Sequence, residues 1–120
     1  MLSNRNLDLT KIDVWGLPCI EHSPIYWDGE KRKPFSSFQK KLPEKDKKLI
    51  LGYLKAGTCW SACPGKLIDD TTGRHLPVQW LNYTDGHYSW DSKTVYQFEH
   101  YDMMLPNDFV MFILGKEAGE

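Results

Sequence analysis

The chain has 120 residues, of which 41% are hydrophobic and 13% are aromatic, and its net charge is -1. This is enough apolar material for one globular core without disulfides or a structural metal. The longest apolar run, FVMFIL, is far shorter than the roughly 18 residues of a membrane-spanning helix. The first residues, MLSNRNLDLTKID, lack the apolar segment of a signal peptide. We expect one cytoplasmic domain over residues 1–120 with no membrane role.

The first predicted element is an amphipathic helix that begins at Pro43 and stops at Gly57. Proline suits the first helical position, and glycine commonly follows the last. Residues 1–42 are predicted to be an irregular extension, because proline and glycine interrupt them repeatedly. The helix has four apolar residues on one face: Leu49, Ile50, Tyr53 and Leu54.

A three-stranded antiparallel meander is predicted to follow the helix. Its strands are KLID at 66–69, LPVQWLNY at 76–83 and the residues after the Asp85-Gly86 pair. The Asp-Gly pair favours a two-residue hairpin loop. The segment TCWSACPG, at 58–65, is predicted to be a connector.

Two helices are predicted at the carboxyl terminus. Asp91 or Ser92 is placed to cap the first, and Asn107, after Pro106, to cap the second. The last residues, 115–120, are predicted to be a frayed polar tail. The predicted fold is α+β, with the core at 43–114 and both carboxyl-terminal helices on one face of the meander.

The stretch YTDGHYSWDSKTVYQFEHYDMMLP, at 83–106, is rich in aromatic residues. Strand alternation puts Tyr88 and Trp90 on the same, covered face, where Val95 and Phe98 of the next helix are expected to bury them. The other tyrosines and the neighbouring acids have the composition of a protein interface with a charged rim. The predicted partner-binding residues are Tyr83, Tyr96, Tyr101, Glu99 and Asp102.

Residues 48–114 resemble a group of small bacterial domains. The resemblance is carried by LILGYLKAG, by DDTTG and by YTDGHYSWDSKTVYQFEHYDMMLPNDFVMFI. It includes a hairpin of the form DG-x-Y-x-W and a closing LP-x-[ED]-F-[IV] element. Some members look like cytosolic immunity proteins, which bind and block a cognate toxin. The resemblance implies a non-enzymatic protein-binding module with a protein partner, and it transfers no site residue.

Charge is distributed unevenly along the chain. Residues 1–68 hold 12 basic and 7 acidic residues, a net of +5, and residues 69–120 hold 3 and 9, a net of -6. An acidic carboxyl half agrees with a basic partner such as a toxin domain, since local fields steer association. Alternatively, the halves fold together and their charges interleave on one surface.

The alternative function is nucleic-acid binding by residues 31–48. This segment has eight of the fifteen basic residues, interleaved with Phe35 and Phe38; basic side chains neutralise phosphates and aromatic rings stack on bases. A solvated loop that leads into a lysine-rich helix explains the same pattern. The candidate residues are Lys31, Arg32, Lys33, Lys40 and Lys41.

Four residues have the spacings of metal ligands. Cys19 with His22 and Cys59 with Cys63 have the spacings C-x2-H and C-x3-C, which would suit a tetrahedral zinc site. Three cysteines cannot all pair, and small buried thiols explain them more simply. No phosphate-binding glycine motif occurs. We expect no metal, no cofactor and no enzyme activity.

Overall fold

The structure is a computed structural model that describes residues 7–20, 39–69 and 71–119. Three strands form one open antiparallel sheet in the order β1-β2-β3, with helices packed against it. The predicted α+β class is confirmed. The elements in chain order are α1 (Glu44–Lys55), β1 (Thr58–Cys63), β2 (Trp80–Thr84), β3 (Ser89–Asp91), α2 (Ser92–Tyr101) and α3 (Asn107–Gly119), preceded by the 3-10 turns Leu9–Lys11 and Val14–Gly16.

The first strand is not the one predicted. β1 lies in the segment expected to be a connector, and it pairs with β2 from Thr58 opposite Thr84 to Cys63 opposite Trp80, with a register shift between Cys59 and Ser61. Residues 66–69 contribute only an isolated bridge from Ile68 to His75. The prediction was wrong because β1 has little apolar alternation of its own, and pairing with β2 decides its conformation.

The hairpin loop also differs from the prediction. Thr84 and Ser89 are the last paired residues, so the loop has the four residues 85–88. The Asp85 carboxylate closes it by accepting from the backbone N–H groups of His87 (2.8 Å) and Tyr88 (2.7 Å). The Tyr53 hydroxyl of α1 donates to the same carboxylate. The Asp-Gly pair predicted a two-residue loop from local backbone preference. The observed four-residue loop depends instead on the Asp85 side chain and on Tyr53 of α1.

The core lies between the sheet and helices α1, α2 and α3. It contains Ile50, Tyr53 and Leu54 from α1, Trp90 from β3, Phe98 from α2, and Phe109 and Ile113 from α3. Tyr88 and Trp90 do share the covered face, because both pack on Phe109, with ring centroids 4.8 and 5.6 Å away. However, the rings over Tyr88 are Phe109 and Phe112 of α3, not the predicted Val95 and Phe98.

Two described segments near the chain ends adjoin or extend the named elements. Residues 18–20 join the edge of β3, where the Ser89 carbonyl accepts from Ile20 N–H at 2.7 Å. At the other end, α3 continues to Gly119 and includes most of the predicted tail, because a packed first turn nucleates a helix that good helix formers can extend.

The predicted cap of α2 is resolved in favour of Asp91, whose carboxylate accepts from the Thr94 N–H at 2.9 Å. This satisfies an otherwise unpaired donor in the first turn of the helix. The helix ends at Asp102, which has a left-handed conformation with φ of 54°. Because α2 runs from Ser92 to Tyr101, Tyr96 lies in the middle of the helix and Tyr101 is its last residue.

Candidate functional site

The second half of α2 carries three aromatic rings in tilted or T-shaped contact, which we call the α2 aromatic surface: Tyr96, His100 and Tyr101. Tyr96 and His100 lie four residues apart, hence on one face of the helix, with ring centroids separated by 4.3 Å. Tyr101 lies at 6.0 Å from Tyr96 and 6.4 Å from His100. The structure therefore brings Tyr96 and Tyr101 together. His100 was not among the predicted residues, although its spacing from Tyr96 was a usable signal.

Tyr101 is held by a loop that lies before β2. Its hydroxyl donates to the Asp69 carboxylate at 2.6 Å. The other oxygen of Asp69 accepts from the Thr71 N–H (2.8 Å), the Thr71 hydroxyl (2.6 Å) and the Thr72 N–H (3.3 Å). Asp69 therefore connects the loop to the aromatic surface. It was missed at the sequence level, where it was the end of a predicted strand.

These contacts shift the pKa values of Asp69 and Tyr101 in opposite directions. Desolvation by burial raises the pKa of Asp69, but the hydrogen bonds from Thr71, Tyr101 and the loop backbone together outweigh it, so the pKa is lowered overall. The hydrogen bond to Asp69 raises the pKa of Tyr101, because the phenol can donate only while it is protonated. Both shifts favour the bonded pair at neutral pH.

The two predicted acids beside these rings are paired with lysines of α1. The Lys47 ammonium lies 2.7 Å from the Asp102 carboxylate and also donates to the Glu99 carbonyl at 3.1 Å. The Lys55 ammonium lies 3.1 Å from the Glu99 carboxylate. Basic residues of the first half of the chain thus interleave here with acidic residues of the second half. The predicted acidic rim is partly neutralised.

Tyr83 lies in a different environment. It is the cross-strand partner of Trp90 on the core face of the sheet, and it packs against the core. Desolvation by burial, together with the neighbouring Cys59 thiol, raises the pKa of Tyr83. The structure therefore does not place it with the rings of α2.

The cysteines do not form the proposed metal set. Cys59 is paired with Tyr83 and Cys63 with Trp80; these partners are three residues apart, so the two thiols project from opposite faces of the sheet. Cys19 bridges to β3 at the other edge. Across residues 7–20, 39–69 and 71–119, no group of three His, Cys, Asp or Glu side chains is placed to hold a metal. His22 lies outside these residues.

The three cysteines are not buried, contrary to the prediction: Cys19 and Cys59 are exposed and Cys63 is half-buried. The candidate nucleic-acid residues are only partly described. Lys40 and Lys41 are exposed, and the Lys40 N–H donates to the Asp102 carbonyl at 2.9 Å. Lys31, Arg32 and Lys33 lie outside the described residues.

Comparisons with protein families, with curated proteins and with solved structures found no match for this chain. Within the part of the chain that the structure describes, no helix combines the length and apolar character needed to cross a bilayer. Function is therefore inferred from the surfaces that these residues form.

Proposed function

We propose that this chain is a non-enzymatic protein-binding module that acts as a cytoplasmic immunity protein, binding and neutralising a cognate bacterial toxin. The observation that carries the proposal is the α2 aromatic surface, in which the rings of Tyr96, His100 and Tyr101 contact one another; His100 is exposed and both tyrosines are half-buried. Tyrosine rings supply large contact areas for little loss of side-chain entropy, and such residues dominate the affinity of protein interfaces. The toxin-neutralising role follows the sequence resemblance.

Preorganisation supports this use of the surface. Tyr101 is already hydrogen-bonded to Asp69, and Asp69 is held in turn by Thr71 and Thr72. A ring with a defined orientation before binding loses less conformational entropy when the partner arrives. The preorganised tyrosines therefore suit a tight, permanent complex of the kind that toxin neutralisation needs.

Charged residues would contribute less to the affinity of the complex than the aromatic rings do. A basic toxin domain would have to compete with Lys47 and Lys55 for the carboxylates of Asp102 and Glu99. The Lys55–Glu99 pair is solvent-exposed, so exchanging its lysine for a partner's lysine or arginine changes the free energy little. The rings provide the affinity in this proposal, and the charges affect the rate and orientation of encounter.

The test is affinity capture with the tagged chain, from lysate of its source organism, with and without nuclease and at low and moderate salt. We expect one protein to be retained at moderate salt by the wild type and to be lost with Tyr96→Ala. Met111→Ala changes an exposed side chain on α3 and is the matched control. The captured protein is then expressed alone and with the chain, and co-expression should restore growth.

Three results would count against the proposal. Retention by Tyr96→Ala equal to that of the wild type would remove the α2 aromatic surface as the binding site. Capture of nucleic acid alone, at low salt and without nuclease, would instead favour the basic segment 31–48, since binding to phosphates weakens steeply as salt rises. A captured protein that does not impair growth would exclude the toxin-neutralising role.

A further inference from the structure

A second aromatic site involves the amino-terminal turn and β1. Trp15, in the turn Val14–Gly16, is 85% exposed. Its ring meets that of Trp60 edge to face, with centroids 4.9 Å apart and planes at 82°. Trp60 occupies the register shift of β1, and such irregularities re-aim a side chain. An exposed tryptophan that is held against a second tryptophan is characteristic of an interaction surface.

A groove of about 320 Å³ lies beside this pair, which we call the Trp15 groove. Its lining includes Val14, Trp15, Leu17 and Trp60 as apolar side chains, and Ser61 and Asn82 as polar ones. The volume is at the lower end of the range for ligand sites, and a few polar groups among apolar ones are typical of them. The groove therefore has room for a narrow chain with one small side chain at a time.

The Trp60 indole adds a hydrogen-bonding requirement. Its Nε1 atom is buried and has no hydrogen-bond partner in the described structure. A buried donor without an acceptor is destabilising. A ligand that shifts the rings enough to place a carbonyl at this atom would relieve that defect.

The carboxylate nearest in sequence to Trp15 is that of Asp13. Asp13 directly precedes the turn that carries Trp15, and its carboxylate lies over Gly16, 2.8 Å from where a Cβ on that glycine would be. Asp13 forms no ion pair with any described residue, whereas its neighbour Asp8 is paired with Lys11 at 3.8 Å. A basic side chain on the ligand would complement Asp13.

We propose that the Trp15 groove binds a proline-rich segment of another protein, in the polyproline II conformation, with a lysine or arginine directed at Asp13. Perpendicular tryptophans form a notch that fits a proline ring, whereas a sugar ring stacks best on an open aromatic face. A polyproline II segment has no internal hydrogen bonds, so its carbonyls are available to Ser61 and Asn82, and to Trp60 once the rings shift. Aromatic-lined grooves are a recurrent way to recognise such segments. This site is independent of the α2 aromatic surface.

The test is a titration of the full-length chain into a panel of short fluorescent proline-rich peptides that carry one arginine near either end, followed by anisotropy. The comparison peptides replace arginine by glutamate or proline by glycine and serine, and a cellulose oligosaccharide tests the sugar alternative. The variants are Trp15→Ala, Asp13→Asn and the control Met111→Ala, each checked for wild-type circular dichroism.

We expect saturable binding of an arginine peptide by the wild type and by Met111→Ala, and binding weakened by about tenfold or more in Trp15→Ala. Asp13→Asn should lose the preference for arginine over glutamate, a change that a purely structural role of the turn would not produce. The proposal is overturned if no peptide of the panel binds in the millimolar range. It is equally overturned if Trp15→Ala binds like the wild type, or if the oligosaccharide binds and the proline peptides do not.

Discussion

The Tyr101 hydroxyl donates a 2.6 Å hydrogen bond to the Asp69 carboxylate and so joins the end of α2 to a loop that lies 32 residues earlier in the chain. Asp69 is itself buried. One carboxylate therefore holds both a loop and a ring of the α2 aromatic surface.

Replacing this carboxylate should destabilise the protein. Asp69→Asn keeps an oxygen for the Thr71 and Thr72 N–H groups but weakens the charge-assisted bond from Tyr101. We expect the free energy of unfolding to fall by about 1–2 kcal/mol, measured by urea denaturation. The pKa of Tyr101 should also fall towards its ordinary value, which phenolate absorbance measures. An unchanged Tyr101 titration would show that the bond does not form in solution.

The same pair predicts the pH dependence of stability. The pKa of Asp69 is lowered from 3.8 in the folded state, so its contribution is complete above pH 3.8 and is lost as pH falls through the folded-state pKa. The pKa of Tyr101 is raised from 10.0, so its contribution is present below pH 10 and is lost as pH rises through its folded-state pKa.

Unfolding midpoints in acid and in alkali, measured for wild type, Asp69→Asn and Tyr101→Phe, test this dependence. Asp69→Asn should reduce the loss of stability at acid pH, and Tyr101→Phe should reduce the loss of stability at alkaline pH. If both variants kept the wild-type pH profile, other groups would have to account for it.

Two glycines give a matched comparison of packing. A Cβ at Gly57 would lie 2.7 Å from the Trp90 ring and 3.0 Å from the Tyr83 Cβ, whereas a Cβ at Gly115 meets nothing within 4 Å. Gly57→Ala should therefore lose about 1–3 kcal/mol by overpacking. Gly115→Ala, within α3, should gain about 0.5–1 kcal/mol from helix propensity. Chemical denaturation of both variants would reveal opposite signs, and equal effects would contradict the close packing at Gly57.

The two ion pairs between α1 and α2 should differ in strength. The Lys47 and Asp102 side chains are 22% and 31% exposed, against 53% and 36% for Lys55 and Glu99, and Lys47 also donates to a carbonyl. We expect Lys47→Ala to lower the unfolding free energy by about 1 kcal/mol and Lys55→Ala by less than about 0.5 kcal/mol. Denaturation at low and high salt checks this, because the exposed pair is the more strongly screened. A larger loss of unfolding free energy in Lys55→Ala than in Lys47→Ala would show that the exposed pair is the stronger one.

Features determined by neighbouring residues could be predicted from the sequence. Pro43, Gly57 and the apolar face between them indicated α1, and Asp91 was one of two predicted caps of α2. These signals lie within a turn or two of the backbone they affect. The α+β class followed from the order of such elements, and the pairing of Tyr96 with Tyr101 on one helix was accessible for the same reason.

Features determined by distant partners could not be predicted from the sequence. β1 is a strand because β2 lies beside it, and the four-residue loop at 85–88 depends on Asp85 and on Tyr53 of α1. The neutralised charge of Asp102 depends on Lys47, 55 residues away, and the orientation of Tyr101 depends on Asp69. Propensity and periodicity act within a few residues, whereas these contacts exist only after the core has brought the helices and the sheet together. The sequence by itself therefore determined the helices and the fold class, and the tertiary structure decided which side chains form each surface.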